Sequence, residues 1–150
     1  MFSRGERALV IETRDRLRGA MDRYGRDPSK FGMIHADLHD GNLLVGRGRL
    51  TVIDFDDCAF GWHVYDIAVA LWHQRRSPGF DAIQDAFVRG YRTGRALADD
   101  TVQLIPMFLL VRGLAQIGWL HQRPEIDVSR TIRALAGLVL AQCEAFEAPC

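Results

Sequence analysis

The sequence predicts a mainly helical α+β protein in which a short β-rich stretch carries the chemistry. Three observations lead there. Residues 31–57, FGMIHADLHDGNLLVGRGRLTVIDFDD, hold two polar clusters, each directly behind a short apolar run. Carboxylates just past strand ends are where α/β proteins place metal and phosphate chemistry. Outside this stretch, before residue 25 and after residue 60, apolar residues recur at helical rather than alternating spacing. The chain's 150 residues are one domain's worth, long enough for a sizeable core.

Residues 3–24 form the first expected helix. Ser3 and Glu6 have capping-box spacing, and Leu9, Val10, Thr13, Leu17 and Met21 make its apolar stripe. Gly25, Asp27-Pro28 and Ser29 stop it. Strands are expected at 31–34, 43–45 and 50–53, with a polar loop after the first and a glycine turn at Gly46 and Gly48 between the others. Gly61 is read as a turn closing the stretch. Helices follow at about 64–76 (Ile67, Ala70 and Leu71 inward), 80–97 (Ile83, Ala86, Phe87 and Tyr91 inward) and 101–121. Asp99 and Asp100 are the expected N-terminal caps of that last helix, and Pro106 should kink or break it. A final helix begins after Pro124, between Glu125 and Ser129, and runs to Phe146 with Ile132, Leu135, Leu138, Val139 and Cys143 in its stripe; the residues beyond should fray. Trp72, Trp119 and Phe108 fall on helical faces as expected core, and Trp62 and Tyr65 as packing residues.

Apolar residues make up 48% of the chain and charged ones 25%, with a net charge of +0, an ordinary globular composition. No charge asymmetry points to nucleic acid. The acidic residues gather in the central stretch, which argues against a polyanion there without a bridging cation. Cys58, Cys143 and Cys150 are odd in number and lack metal-ligand spacing, so a reducing compartment is expected. The N-terminus lacks a signal-peptide stretch, and the apolar run 105–111 is too short to span a bilayer. A soluble cytoplasmic protein without a membrane partner is the expectation.

In the central stretch, a carboxylate beside a reacting hydroxyl can orient it and accept its proton, and Asp37 is placed for that. Asn42, five residues on, can return from the same loop as a neutral oxygen ligand, and Asp54 leaves the next strand as a charged one. A hard cation such as Mg²⁺ takes these ligands and borrows the rest from phosphates and water. One base, one amide and one carboxylate suffice to position a nucleoside triphosphate against an alcohol.

His35-x-Asp37-x-x-x-x-Asn42 is similar to the catalytic loop of protein-kinase-like enzymes. IHADLHDGNLL followed by VIDFDD resembles more closely the aminoglycoside phosphotransferase and choline kinase family, which includes homoserine kinases of the second type and stress-response kinases. The continuation Phe60-Gly61-Trp62-His63-Val64-Tyr65-Asp66-Ile67-Ala68 resembles the same family's segment after its metal-binding aspartate. The resemblance implies the C-terminal lobe of a protein-kinase-like fold, with a small β-hairpin bearing the catalytic and metal-binding loops. It implies ATP and Mg²⁺ as cofactors and a small-molecule alcohol or amino alcohol as acceptor. Asp37 would be the base, and Asn42 and Asp54 the Mg²⁺ ligands, with Asp56 assisting. His35 would hold the catalytic loop, His39 would lie near the transferred phosphate, and Asp66 would bond the loop backbone from the following helix. Arg112 and Gln116, one turn apart in an apolar helix, are candidates for an acceptor pocket.

The resemblance covers residues 31–71 and implies more than the chain contains. An enzyme of this kind has an N-terminal lobe with a phosphate-covering loop and a lysine on the nucleotide phosphates. Here 1–150 reads as a single partial lobe, and the sole lysine, Lys30, lies in a turn. Losing those donors costs transition-state stabilisation worth roughly several powers of ten, so the chain alone is expected to be weakly active or inactive. Self-association, or a partner supplying the missing lobe, is expected to cover the bared surface. Two other readings compete. His35, Asp37, His39 and Asp54 could ligate a transition metal in a hydrolase, or the chain could be a non-catalytic remnant used in binding or assembly.

Overall fold

The computed structural model describes residues 2–123 and 129–149 of the chain. Its elements, in order, are α1 (Arg4–Tyr24), β1 (Phe31–Ile34), β2 (Leu43–Gly46), β3 (Arg49–Val52), β4 (Ala59–Trp62), α2 (His63–Leu71), α3 (Phe80–Gly94), α4 (Asp99–Val102), α5 (Ile105–His121) and α6 (Ser129–Ala145). The expected α+β class with small antiparallel β elements is what the chain adopts. It divides into two compact units, Met1–Gly25 with Leu110–Cys150, and Arg26–Leu109.

The first unit is helical. α1 starts at the predicted capping box: the Glu6 amide donates to Ser3 Oγ, and Glu6 Oε2 accepts from the Ser3 amide. It ends where Gly25 turns to φ 81° and donates to the Met21 carbonyl. Thr13, Leu17 and Ala20 are its buried side chains, and Leu135, Ala136, Val139 and Cys143 are those of α6. The chain after α6 is tied down rather than frayed: Arg16 donates to the Phe146 carbonyl and Arg23 to that of Pro149. Trp119 departs from expectation. It is 46% exposed, with the Arg123 guanidinium over its ring. The predicted start of the last helix at Pro124 and Glu125, and the Cys150 thiol, lie outside the described residues.

The second unit holds both sheets. β2 and β3 form a hairpin in the register Leu43↔Val52 to Gly46↔Arg49, leaving a two-residue loop. Arg47 (φ 51°) and Gly48 (φ 72°) are both left-handed, as a turn matched to strand twist requires. β1 pairs antiparallel with β4, Phe31↔Trp62 to Ile34↔Ala59. That strand corrects the reading of Gly61 as a turn. Gly61 sits mid-strand opposite Gly32, and a Cβ on it would lie 2.4 Å from Ile34 Cδ1. The glycine is there for close packing.

Three further boundaries shift. α2 stops at Leu71 rather than 76 and continues as turns, where the Arg75 guanidinium stacks on Trp72 and donates to its carbonyl. α3 ends at Gly94, because Arg92 reaches past it to the Leu97 carbonyl and to Asp99. Val88 is its buried residue, while Ile83 is 36% exposed. The expected helix at 101–121 is broken: α4 ends at Val102 and α5 restarts at Ile105, so Pro106 stands in a first turn, where its missing N–H costs nothing. Asp99 and Asp100 lie within the first turn of α4, whose cap position is Ala98. The core of this unit is Val64, Ile67, Ala68, Leu71 and Trp72 of the α2 region, with Ile105 and Phe108. The stretch Asp99–His121 is long and apolar enough for a membrane span by length and composition alone. Its break and its buried Ile105, Phe108 and Leu110 make it a core segment.

Candidate functional site

All the polar residues singled out in 31–57 lie in the second unit, on two loops: one between β1 and β2, the other between β3 and β4. The first begins with a strained residue. Ala36 has φ 65°, a left-handed conformation disfavoured for any residue with a Cβ. Asp66, in the first turn of α2, holds it there. Its Oδ2 accepts from the His35 amide and its Oδ1 from the Ala36 amide, both at 2.8 Å. A carboxylate gripping two successive amides is strong enough to offset such strain.

His35 is 6% exposed. Its Nε2 lies 2.9 Å from the Ile53 carbonyl, so that nitrogen carries the proton and donates. Its ring lies 4.7 Å from that of Phe55. His35 therefore ties the first loop to the second. Nδ1 of the same ring is buried without a hydrogen-bond partner.

Asn42 ends a single 3-10 turn, Asp40–Asn42, and is also buried. Its Nδ2 donates to the Asp37 carbonyl at 2.9 Å and lies 3.5 Å from Asp37 Oδ2. Its own carbonyl accepts from the Ile53 amide at 3.0 Å, extending the β2–β3 ladder by one bond. Asp54 follows Ile53 in a second left-handed conformation, φ 62°. Asn42 is thus bonded directly to Asp37 and, through its backbone, to Ile53, the residue before Asp54, whose own side chain is exposed. Asp56 is exposed in the following turn. Cys58 Sγ donates to the Ile34 carbonyl at 3.0 Å.

His39 accepts from the Gly41 amide through Nδ1 at 3.0 Å, and its Nε2 stands 3.3 Å from Asp37 Oδ2. Asp40 Oδ1 accepts from the same amide and from His73 Nδ1, each at 3.1 Å. The His73 hydrogen bond is the first cause holding the Asp40 carboxyl below its ordinary range. His73, just after α2, is the residue that motif reading missed. It meets Asp40 across 33 positions of sequence, and no local pattern marks it.

The hydrolase alternative is not assembled. Among the described residues, no group of three or more His, Cys, Asp or Glu side chains could hold a metal, and His35 spends its Nε2 on a backbone carbonyl. Arg112 and Gln116 lie one turn apart on α5, both half-buried, in the first unit.

Residues 3–101 match the phosphotransferase enzyme family. Amicoumacin kinase of Bacillus subtilis (strain 168) is 30% identical over 127 residues, 79% of this chain and 38% of that protein. Among solved structures, a microcompartment-associated aminopropanol kinase superposes with TM-score 0.77 at 32% identity, over 94% of this chain and 44% of its own. An amicoumacin kinase in complex with AMP-PNP, Ca²⁺ and Ami gives 0.78 at 26% identity, over 96% and 46%. The chain thus spans less than half the length of these relatives. Its fold is that of the C-terminal lobe of protein-kinase-like enzymes.

Proposed function

The chain belongs to the phosphotransferase enzyme family, and from that membership we propose that it supplies the phosphate-transferring half of an ATP-dependent small-molecule kinase. The reaction would move the γ-phosphoryl group of ATP to a hydroxyl of an amino alcohol. The observation that carries this reading is the tie between Asp37, Asn42 and the Ile53-Asp54 strand end through hydrogen bonds of 2.9 and 3.0 Å.

In this reading Asp37 orients the acceptor hydroxyl and takes its proton. Asn42 and Asp54 are the residues to hold Mg²⁺. Their donors, an amide oxygen and a carboxylate, are the hard oxygen ligands that cation prefers, and Asn42 keeps its amide oriented by spending Nδ2 on the Asp37 carbonyl. Bound there, the ion supplies charge neutralisation for the triphosphate. Leu44 and Ile53, 53% and 38% exposed beside these ligands, offer an apolar floor for a planar base. The aminopropanol kinase among the relatives supports an amine-bearing acceptor, and the exposed carboxylates Asp56 and Asp57 would attract its charge. A soluble cytoplasmic setting fits such a reaction. The chain alone would turn over slowly or not at all, because a triphosphate needs donors on its far side as well.

The test therefore reads binding as well as turnover. Mn²⁺ with ADP, a paramagnetic stand-in for the magnesium nucleotide, should broaden the amide resonances of Asn42 and Asp54. Asp37→Ala should leave that broadening intact and abolish any transfer from ATP to amino alcohols. Sharp Asn42 and Asp54 signals at saturating Mn²⁺-ADP would overturn the reading and leave the binding remnant in its place.

A further inference from the structure

We propose that His39 is a positioning residue for Asp37, acting as a hydrogen-bond donor in one fixed tautomer that Gly41, Asp40 and His73 select. The inference rests on the reading of Asp37 as the group that meets the acceptor hydroxyl. It concerns how the Asp37 carboxylate is aimed.

His39 has two ring nitrogens with different neighbours. Nδ1 is 3.0 Å from the Gly41 amide, a donor that cannot be anything else, so Nδ1 is the acceptor. A neutral ring whose Nδ1 accepts must carry its proton on Nε2. That Nε2–H stands 3.3 Å from Asp37 Oδ2, a long contact of the kind that tightens in a loaded site. Asn42 Nδ2 approaches the same oxygen at 3.5 Å. Two donors converging on one oxygen fix the plane of the carboxylate.

The tautomer decides between two roles. A His39 with a bare Nε2 could take the proton that Asp37 receives and pass it outward. With Nε2 already protonated it cannot, so it orients Asp37 and takes no part in proton relay. The far side of the ring is fixed by what surrounds Gly41. The Gly41 N–H is shared between His39 Nδ1 and Asp40 Oδ1, and His73 holds that Oδ1 at 3.1 Å. The His73 ring lies 5.9 Å from the His39 ring, tilted by 37°. Asp40 Oδ1 is 3.9 Å from His39 Nδ1, too far to draw the proton to that nitrogen. Gly41 admits the arrangement because a Cβ there would lie 2.7 Å from His39 Cε1.

The experiment uses the isotope-labelled chain near pH 7.5 without nucleotide or acceptor, so it is independent of turnover. Long-range proton–nitrogen correlations should show His39 as a single Nε2–H tautomer. Asp37→Asn should shift its Nε2 resonance, and His73→Gln, a change at a half-exposed side chain, should let the two tautomers average. The Asp37 carboxyl carbon resonance should move in His39→Ala and return toward its original position in His39→Gln, whose terminal amide can stand where Nε2 stood. It should not return in His39→Asn. Merely filling space would not distinguish glutamine from asparagine in this way. An Nδ1–H tautomer, or an Asp37 resonance indifferent to His39→Ala in a chain of unchanged circular dichroism, would overturn the inference. Loss of the Mn²⁺-ADP effect with this pattern intact would instead count against the phosphotransfer reading.

Discussion

Asp66→Asn isolates the contact that shapes the loop between β1 and β2. The two amides that Asp66 receives, each at 2.8 Å, come from consecutive residues, the second of them left-handed at φ 65°. An asparagine keeps one oxygen for one amide and turns an NH₂ group towards the other, donor against donor. A hydrogen bond to a charged group contributes about 1.5–3 kcal/mol, and a part-buried amide left unsatisfied costs about 1–3 kcal/mol. The expected loss is therefore about 2–4 kcal/mol. With a urea slope of about 2 kcal/mol/M, the denaturation midpoint falls by about 1–2 M. A second variant tests whether strain is what Asp66 opposes. Ala36→Gly removes the left-handed penalty of about 1 kcal/mol, so Asp66→Asn should cost measurably more in that background, where the loop has no strain to release when it lets go. A midpoint unchanged within about 0.2 M in Asp66→Asn, or equal losses in both backgrounds, would refute the reasoning.

Two further changes probe the frame around the site. His63 accepts from Arg95 through Nε2 at 2.8 Å, and burial, then the Arg95 charge, push its imidazole below its ordinary range. An unfolded histidine titrates at about 6.5. As pH falls through that value, the unfolded chain takes up a proton that the folded one refuses, so stability drops until the lowered folded value is passed. Urea midpoints from pH 7.5 down to 5 should decline less in His63→Gln than in the parent, and parallel profiles would dismiss the effect. Gly61→Ala should cost about 1–3 kcal/mol by overpacking, since its methyl meets Ile34 Cδ1 at 2.4 Å. Ile34→Val, which deletes that atom, should recover part of the loss when the double variant is melted beside the single one.

What was legible in the sequence was local. Ser3 and Glu6, Gly25, and Gly48 of the hairpin turn carry their geometry in residues a few positions apart, although the other turn residue is Arg47 and not the expected Gly46, which ends β2; α1, β2 and β3 fall within a residue or two of their expected places. Spacing likewise puts Asp37 and Asn42 on one short loop, where Asn42 Nδ2 reaches the Asp37 carbonyl. What failed depends on distant partners. β4 exists because Ala59–Trp62 finds Phe31–Ile34, and a four-residue strand with a central glycine has no signal of its own. His73 matters only because Asp40 is opposite it, and Trp119 is exposed because its helix turns another face inward. α2 ends early through an arginine folding back on Trp72, an event that helix propensity does not contain.

His35 explains why these pieces act as one. Its amide is held by Asp66, its Nε2 donates to the Ile53 carbonyl, the Ile53 amide donates to Asn42, and Asn42 Nδ2 donates to the Asp37 carbonyl. That path leaves residue 35, crosses to the second loop, and returns to residue 37. It encloses Ala36, and its crossing at Ile53 abuts Asp54, the two left-handed residues of the loops. Backbone strain of this kind persists only where neighbouring bonds over-determine it, and here each strained residue adjoins a residue that the circuit holds. The histidine contributes by joining the acid that would meet a hydroxyl to the acid that would meet a metal, and it need touch neither substrate. Replacing it should loosen Asp37 and Asp54 together, whereas replacing either aspartate should leave the other in place.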